Sequence, residues 1–171
     1  MRVNQPEALK CAARAYPLLA DLPPNFLTKL LEIAEERDFG RNEIIFGEGG
    51  KSEYLFLIAS GSVALETITG SQKIVIQTLS AGDAMGWSAL NRTAKTHFQA
   101  RTLSRVRAIA FDGAKLSVAL ECDPRLGYEV MKRLLALVTE RLDHTRMQLI
   151  DTHRRSGAGR RIGDGPRIAL R

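Results

Sequence analysis

Thiols are scarce in this chain. Only Cys11 and Cys122 carry one, far apart and with no CxxC pair. No redox-active pair is built into that spacing, and two reduced, structural thiols in a cytoplasmic protein are expected. Histidine is almost as rare: His97, His144 and His153 are the full set. A metal site of the cupin type needs two histidines close together with a carboxylate, and only His97 falls in the strand-rich part of the chain. A metal-dependent oxygenase is therefore not expected. No stretch approaches the ~18 uncharged apolar residues of a membrane-spanning helix. The opening MRVNQPEALK has no apolar core and does not read as a secretory signal. A nucleophile elbow, a P-loop and a dinucleotide fingerprint are all absent. Gly47-Glu48-Gly49-Gly50 is a turn, since no GK[ST] follows it. These gaps argue against an enzyme.

What remains is ordinary for a soluble globular chain: 44% hydrophobic and 26% charged residues over a length of 171. One core of that size needs no disulfide or metal staple. The formal charge of +6 is unevenly placed. Six arginines and one acid, Asp164, fall within residues 153–171, so the body is close to neutral. A body that grips nucleic acid is not implied. The glycine- and arginine-rich end, 153–171, reads as a disordered basic tail.

The order of textures predicts mainly β structure with flanking helices. Residues 1–36 form an N-terminal helical segment, with helix expected over 6–36: Leu27, Leu30, Leu31 and Ala34 fall at helical spacing after Pro23-Pro24. Residues 37–114 are short apolar runs punctuated by glycine. The runs are 43–46, 54–58, 62–66, 73–77 and 106–111, and Thr69-Gly70-Ser71 reads as a hairpin turn. Residues 115–152 hold a short helix and then a long one, opened by Asp123 as N-cap and Pro124 at the first helical position. On the long helix, Tyr128, Met131, Leu135, Val138, Leu142, Thr145 and Leu149 keep a 3-4 spacing. Val130, Leu134 and Leu137 make a second apolar seam. Two seams suit one helix that packs on its own domain and on a second copy, and a homodimer is expected.

Phe39-x-x-x-Glu43-x-Ile45-Phe46-x-Glu48-Gly49, then Tyr54–Ile58, Gly61-Ser62-Val63 and Gly82-Asp83-x-x-Gly86, resemble the cyclic-nucleotide-binding domain of the Crp–Fnr regulators over about residues 17–150. The resemblance implies an antiparallel β jelly roll that dimerises through its long C-terminal helix. Gly49, Gly61 and Gly82 would sit at sharp turns that need positive φ.

In cyclic-nucleotide binders of this family, the residue after the glycine matched by Gly86 is a Glu that accepts from the ribose hydroxyl. An Arg nine residues on pairs with the cyclic phosphate. Here those positions hold Trp87 and Thr96. The Gly86-Trp87-Ser88-Ala89 version is similar to a divergent single-domain subgroup. The candidate ligand-binding residues are therefore Gly86, Trp87, Ser88, Ala89, Arg92, Lys95, Thr96, His97 and Arg101, with Trp87 either stacking on a flat ligand or plugging the pocket. No cofactor and no metal are implied; the expected ligand is a nucleotide-like or organic anion. The regulators of the family carry a helix-turn-helix after the long helix, and residues 153–171 cannot hold one, so no specific DNA binding by this chain is expected. The reading is a regulatory sensor. The alternatives are a ligand-free dimerisation module that modulates partner regulators, and a nucleic-acid accessory protein acting through the arginine tail. An open pocket beside Trp87 would favour the sensor.

Overall fold

Two apolar runs of the sequence become strands buried on both faces. In Tyr54–Ser60, Leu55 and Leu57 point to one side and Phe56 and Ile58 to the other. In Val106–Asp112, Ile109 and Phe111 face the first side, and Val106, Ala108 and Ala110 the second. A period of two with both faces covered gives a continuous apolar run. The computed structural model describes residues 16–70, 72–91 and 95–158, the last six as backbone alone.

The elements in order are α1 (Pro24–Glu32), β1 (Ala34–Phe39), β2 (Ile44–Phe46), β3 (Tyr54–Ser60), β4 (Val63–Thr69), β5 (Gln72–Leu79), β6 (Ala84–Met85), a 3-10 turn (Trp87–Leu90), β7 (Gln99–Thr102), β8 (Val106–Asp112), α2 (Gly113–Cys122) and α3 (Pro124–Ala158). The strands form two four-stranded sheets, β1-β8-β3-β6 and β2-β7-β4-β5, and every pairing is antiparallel. One core lies between the sheets, built from Phe56, Ile58, Val63, Leu65, Leu79 and Met85. The other packs the far face of the first sheet against helices through Leu27, Leu30, Leu116, Leu120, Leu126 and Val130. This is the jelly-roll-like arrangement with flanking helices that the sequence predicts.

Local chemistry sets the junctions. The β4–β5 hairpin closes where Thr69 pairs with Gln72, and Gly70 takes φ 63° in the two-residue turn. Gly61 has φ 90°, and a Cβ there would meet the Arg105 carbonyl oxygen at 2.2 Å. Asp112 caps α2 by accepting from the Lys115 N–H at 3.0 Å. Asp123 caps α3 at the Leu126 N–H, 3.2 Å away, and also accepts from Lys29 Nζ at 2.6 Å.

Three expectations are corrected. Helix was expected through residue 36, but α1 ends at Glu32 and β1 begins at Ala34. The segment AEERDF is rich in helix formers, yet its backbone pairs with β8 from Ala34–Phe111 to Phe39–Val106, and that ladder overrides local propensity. Residues 6–15 of the expected helix lie outside the described residues. Strand β7 was not anticipated, because Gln-Ala-Arg-Thr has no apolar run. Lastly, α3 continues to Ala158, six residues into the segment expected to be disordered. His153, Arg154 and Arg155 carry no breaker, and arginine is a good helix former. The rest of that segment is outside the described residues.

The chain divides into two units, residues 1–138 and 139–171, with α3 beginning in the first and continuing in the second. Within the first, Leu126, Val130 and Leu134 are buried and Leu137 is half-buried, whereas Tyr128, Met131 and Leu135 are exposed and Val138 is half-exposed. Within the second, Leu142, Thr145 and Leu149 are exposed. No helix among the described residues is long and apolar enough to cross a membrane.

Candidate ligand site

The sharp turn after β6 depends on Gly86. Its φ is 78°, and a Cβ would stand 2.3 Å from the Tyr54 carbonyl oxygen, so only glycine lets this backbone press on the start of β3. The 3-10 turn follows, with the Ala89 N–H donating to the Gly86 carbonyl at 3.0 Å and the Asn91 N–H to the Ser88 carbonyl at 2.9 Å. Trp87 is half-buried and packs on the core beneath the helices, not on the core between the sheets. Ser88 Oγ donates to Ser52 Oγ at 2.8 Å. Ala89 is buried, and its carbonyl oxygen lies so near Gly113 that a Cβ on that glycine would be 2.4 Å from it. The turn is thus pressed between the start of β3 and the start of α2.

The other predicted residues go elsewhere. Thr96 is buried, and its hydroxyl donates to the Gly47 carbonyl at 2.5 Å. Its backbone is bound into the same turn: Gly49 N–H to Thr96 O at 2.7 Å and Thr96 N–H to Gly50 O at 2.9 Å. Lys95 forms a bridge with Lys51, and both Lys95 and His97 are exposed. Arg92 is outside the described residues. Arg101, on β7, is committed to a carboxylate: Nε and Nη2 donate to the two oxygens of Glu66 at 2.7 and 2.8 Å, and Nη1 donates to Asn42 at 2.9 Å. Gln99 adds a further bond to Glu66 at 2.8 Å. Glu66 is 0% exposed, and Arg101 with Gln99 holds its carboxyl below the usual carboxylate range against the burial that would raise it. Arg101 was expected among the ligand candidates; in the structure the fork of its guanidinium is filled by the two carboxylate oxygens of Glu66.

A cleft of about 440 Å³ opens on the turn, lined by Lys51, Ser52, Glu53, Tyr54, Ala89 and Asp112. Of these only Ala89 was a ligand candidate in the sequence. Lys51–Tyr54 and Asp112 lie far from it along the chain and reach it because β3 pairs with β8, Tyr54 opposite Asp112. The Arg37 guanidinium stacks 4.0 Å over the Tyr54 ring at the same end of β3. No group of three or more His, Cys, Asp or Glu able to hold a metal occurs among the described residues.

Comparison with known proteins fits this geometry. A protein of Geobacter metallireducens named for cyclic nucleotide binding is 28% identical, with a TM-score of 0.69 over 82% of this chain and 99% of its own. The Thermus thermophilus catabolite activator protein shares the fold, with a TM-score of 0.65 at 24% identity over 80% of this chain and 63% of its own. A Rhodopseudomonas palustris protein named for a potassium channel is 23% identical over 114 residues, and this chain spans about a quarter of its length, 27%. Residues 36–121, from within β1 to within α2, match the family model described as the cyclic nucleotide-binding domain. On that match, reinforced by the two sheets, the glycine-gated turn and the long final helix, this chain belongs to the cyclic nucleotide-binding domain family.

Proposed function

We propose that the chain is a non-catalytic, regulatory ligand-sensing domain that dimerises through α3 and does not bind cyclic nucleotides by the contacts usual in its family. The observation that carries this reading is the fate of Thr96. It stands where the resemblance calls for the phosphate-pairing Arg, and its hydroxyl is spent on the Gly47 carbonyl. At the ribose position, Trp87 offers no carboxylate and packs on the helix-side core. Arg101, the one arginine of the candidate set among the described residues, is held by Glu66. Charge-assisted contacts to ribose and phosphate are worth about 1.5–3 kcal/mol each, so losing both weakens binding by about 100-fold or more. The cleft on the turn, lined by Ala89 and not by Trp87, supports a sensor over a ligand-free module, and the exposed seam from Tyr128 to Leu149 supports a second copy as partner. Specific DNA reading is not part of this proposal.

The test is calorimetry of the full chain with cAMP and cGMP. Binding weaker than hundreds of micromolar, or none, agrees with the proposal; low-micromolar binding of cAMP refutes it. The double variant Trp87→Glu with Thr96→Arg restores both family side chains. Gain of cAMP binding by a folded double variant would place the silencing in these two side chains and not in the backbone of the turn.

A further inference from the structure

Tyr128, the first member of the exposed seam of α3, also borders a groove. With Pro23, Phe26 and Pro124 it walls a space of about 640 Å³ between the head of α1 and the first turns of α3. Tyr128 is 66% exposed, both prolines are exposed, and Phe26 is half-buried. Met131 and Leu135 carry the exposed apolar surface onward along the helix, so groove and seam meet at Tyr128. A contiguous apolar surface with a polar rim marks a protein-binding face.

The charges around the groove fall into two sets. Glu129 is paired with Arg133, whose guanidinium also donates to the Ala20 and Asp21 carbonyls. Close by, Lys29 is paired with Asp123. Asp21 and Arg125 line the same groove, yet neither has an ion-pair partner among the described residues. Lys132, exposed and also without one, lies two helical turns beyond Arg125. One acid and one base, unpaired in a single apolar groove, are self-complementary. In a two-fold contact residue i meets j and j meets i, so each Arg125 faces the Asp21 of the other copy. A partner carrying one sign of charge would leave either Asp21 or Arg125 unmatched.

We infer that this groove is filled by a second copy of the chain, a step that rests on the dimerisation proposed through α3. Tyr128 of each copy lies against the groove of the other, and Arg125 of each pairs with the partner's Asp21. The contact then includes the head of α1 and the turn before it, and not the α3 seam alone. The acceptor is held in place beforehand. Asp21 sits at φ 56°, and Arg133 ties its carbonyl to α3 of the same chain. Order present before association lowers the cost of binding.

The experiment is sedimentation of the full chain with two charge-reversal variants, alone and mixed. Asp21→Arg and Arg125→Asp each set like charges against each other across the two-fold axis, and each should weaken the dimer at least about 10-fold. A 1:1 mixture of the two restores opposite charges at both contacts and should form heterodimers about as tight as the wild type. Asp21→Arg faces a left-handed backbone that arginine tolerates poorly. If it fails to fold, Asp21→Asn takes its place, and its mixture with Arg125→Asp should still associate more tightly than Arg125→Asp alone. Wild-type affinity in both reversal variants, while Leu135→Asp with Leu142→Asp gives monomers, overturns the inference and leaves the α3 seam standing. Losses that mixing does not repair mean that the groove is filled from within the chain or by another molecule, and also overturn it. A wild-type chain that is monomeric at tens of micromolar overturns both readings.

Discussion

Replacing Arg101 by alanine should be among the most damaging single changes available outside the two apolar cores. Glu66 sits on β4 beside the register shift that separates it from Leu65, and its side chain is 0% exposed. Three bonds reach its carboxylate: Arg101 Nε at 2.7 Å, Arg101 Nη2 at 2.8 Å and Gln99 Nε2 at 2.8 Å. Arg101→Ala leaves only the last, around a charge that water cannot reach. Removing one partner of a buried ion pair costs about 3–5 kcal/mol. Glu66→Gln is the informative counterpart. It strands the guanidinium, but Arg101 is 21% exposed and keeps its bond to Asn42, so the cost should be nearer 1–3 kcal/mol. The pH dependence has a definite sign. The folded-state pKa of Glu66 is lowered, so its contribution is present above the ordinary value of about 4.3 and is lost as pH falls through the lowered one. In Arg101→Ala the main cause of that lowering is gone and burial pushes the carboxyl up, so the variant's deficit should shrink as the pH drops toward about 4.5. Urea unfolding of the three proteins at neutral and mildly acidic pH measures this. A loss below about 1 kcal/mol for Arg101→Ala at neutral pH, or equal losses for the two variants, would refute the argument.

Three further outcomes are expected. Leu135→Asp with Leu142→Asp should convert a dimer to a folded monomer in sedimentation, since both positions are 67% exposed within the chain and burying charges across a helix pair costs several kcal/mol; a dimer that persists removes α3 as the interface. Gly86→Ala, with its Cβ 2.3 Å from a carbonyl oxygen, should unfold far more readily than Gly49→Ala, where φ is also positive but nothing lies within 4 Å and the cost is only about 1–2 kcal/mol; equal melting temperatures would contradict the packing described for the turn. Trp87→Ala should cost less than the ~3–5 kcal/mol typical of a large aromatic deep in a core, because Trp87 is half-buried, and chemical denaturation decides between them.

Local pattern alone determined a good deal of this molecule. The apolar runs of β3 and β8, the Asp123-Pro124 start of α3 and the glycine turns at 49, 61 and 82 follow from chemistry within a few residues, as the φ values of 74°, 90° and 97° at those glycines bear out. The two-seam pattern of α3 was equally legible, since helical periodicity needs no partner to be read: Val130 and Leu134 are buried and Leu135 is exposed. Tertiary structure decided the rest. AEERDF is a strand because β8 lies beside it, and QART is a strand because β2 and β4 flank it. Arg101 looked free for a ligand until the sheet set Glu66 beside it, 35 residues away in the chain. Apart from Ala89 and Tyr54, the lining of the cleft had no sequence signal. Lys51, Ser52, Glu53 and Asp112 are ordinary polar residues, and only the antiparallel pairing of β3 with β8 brings them to Ala89. Pairing across a sheet depends on which strands meet, and that is set by the whole chain and not by any window of it.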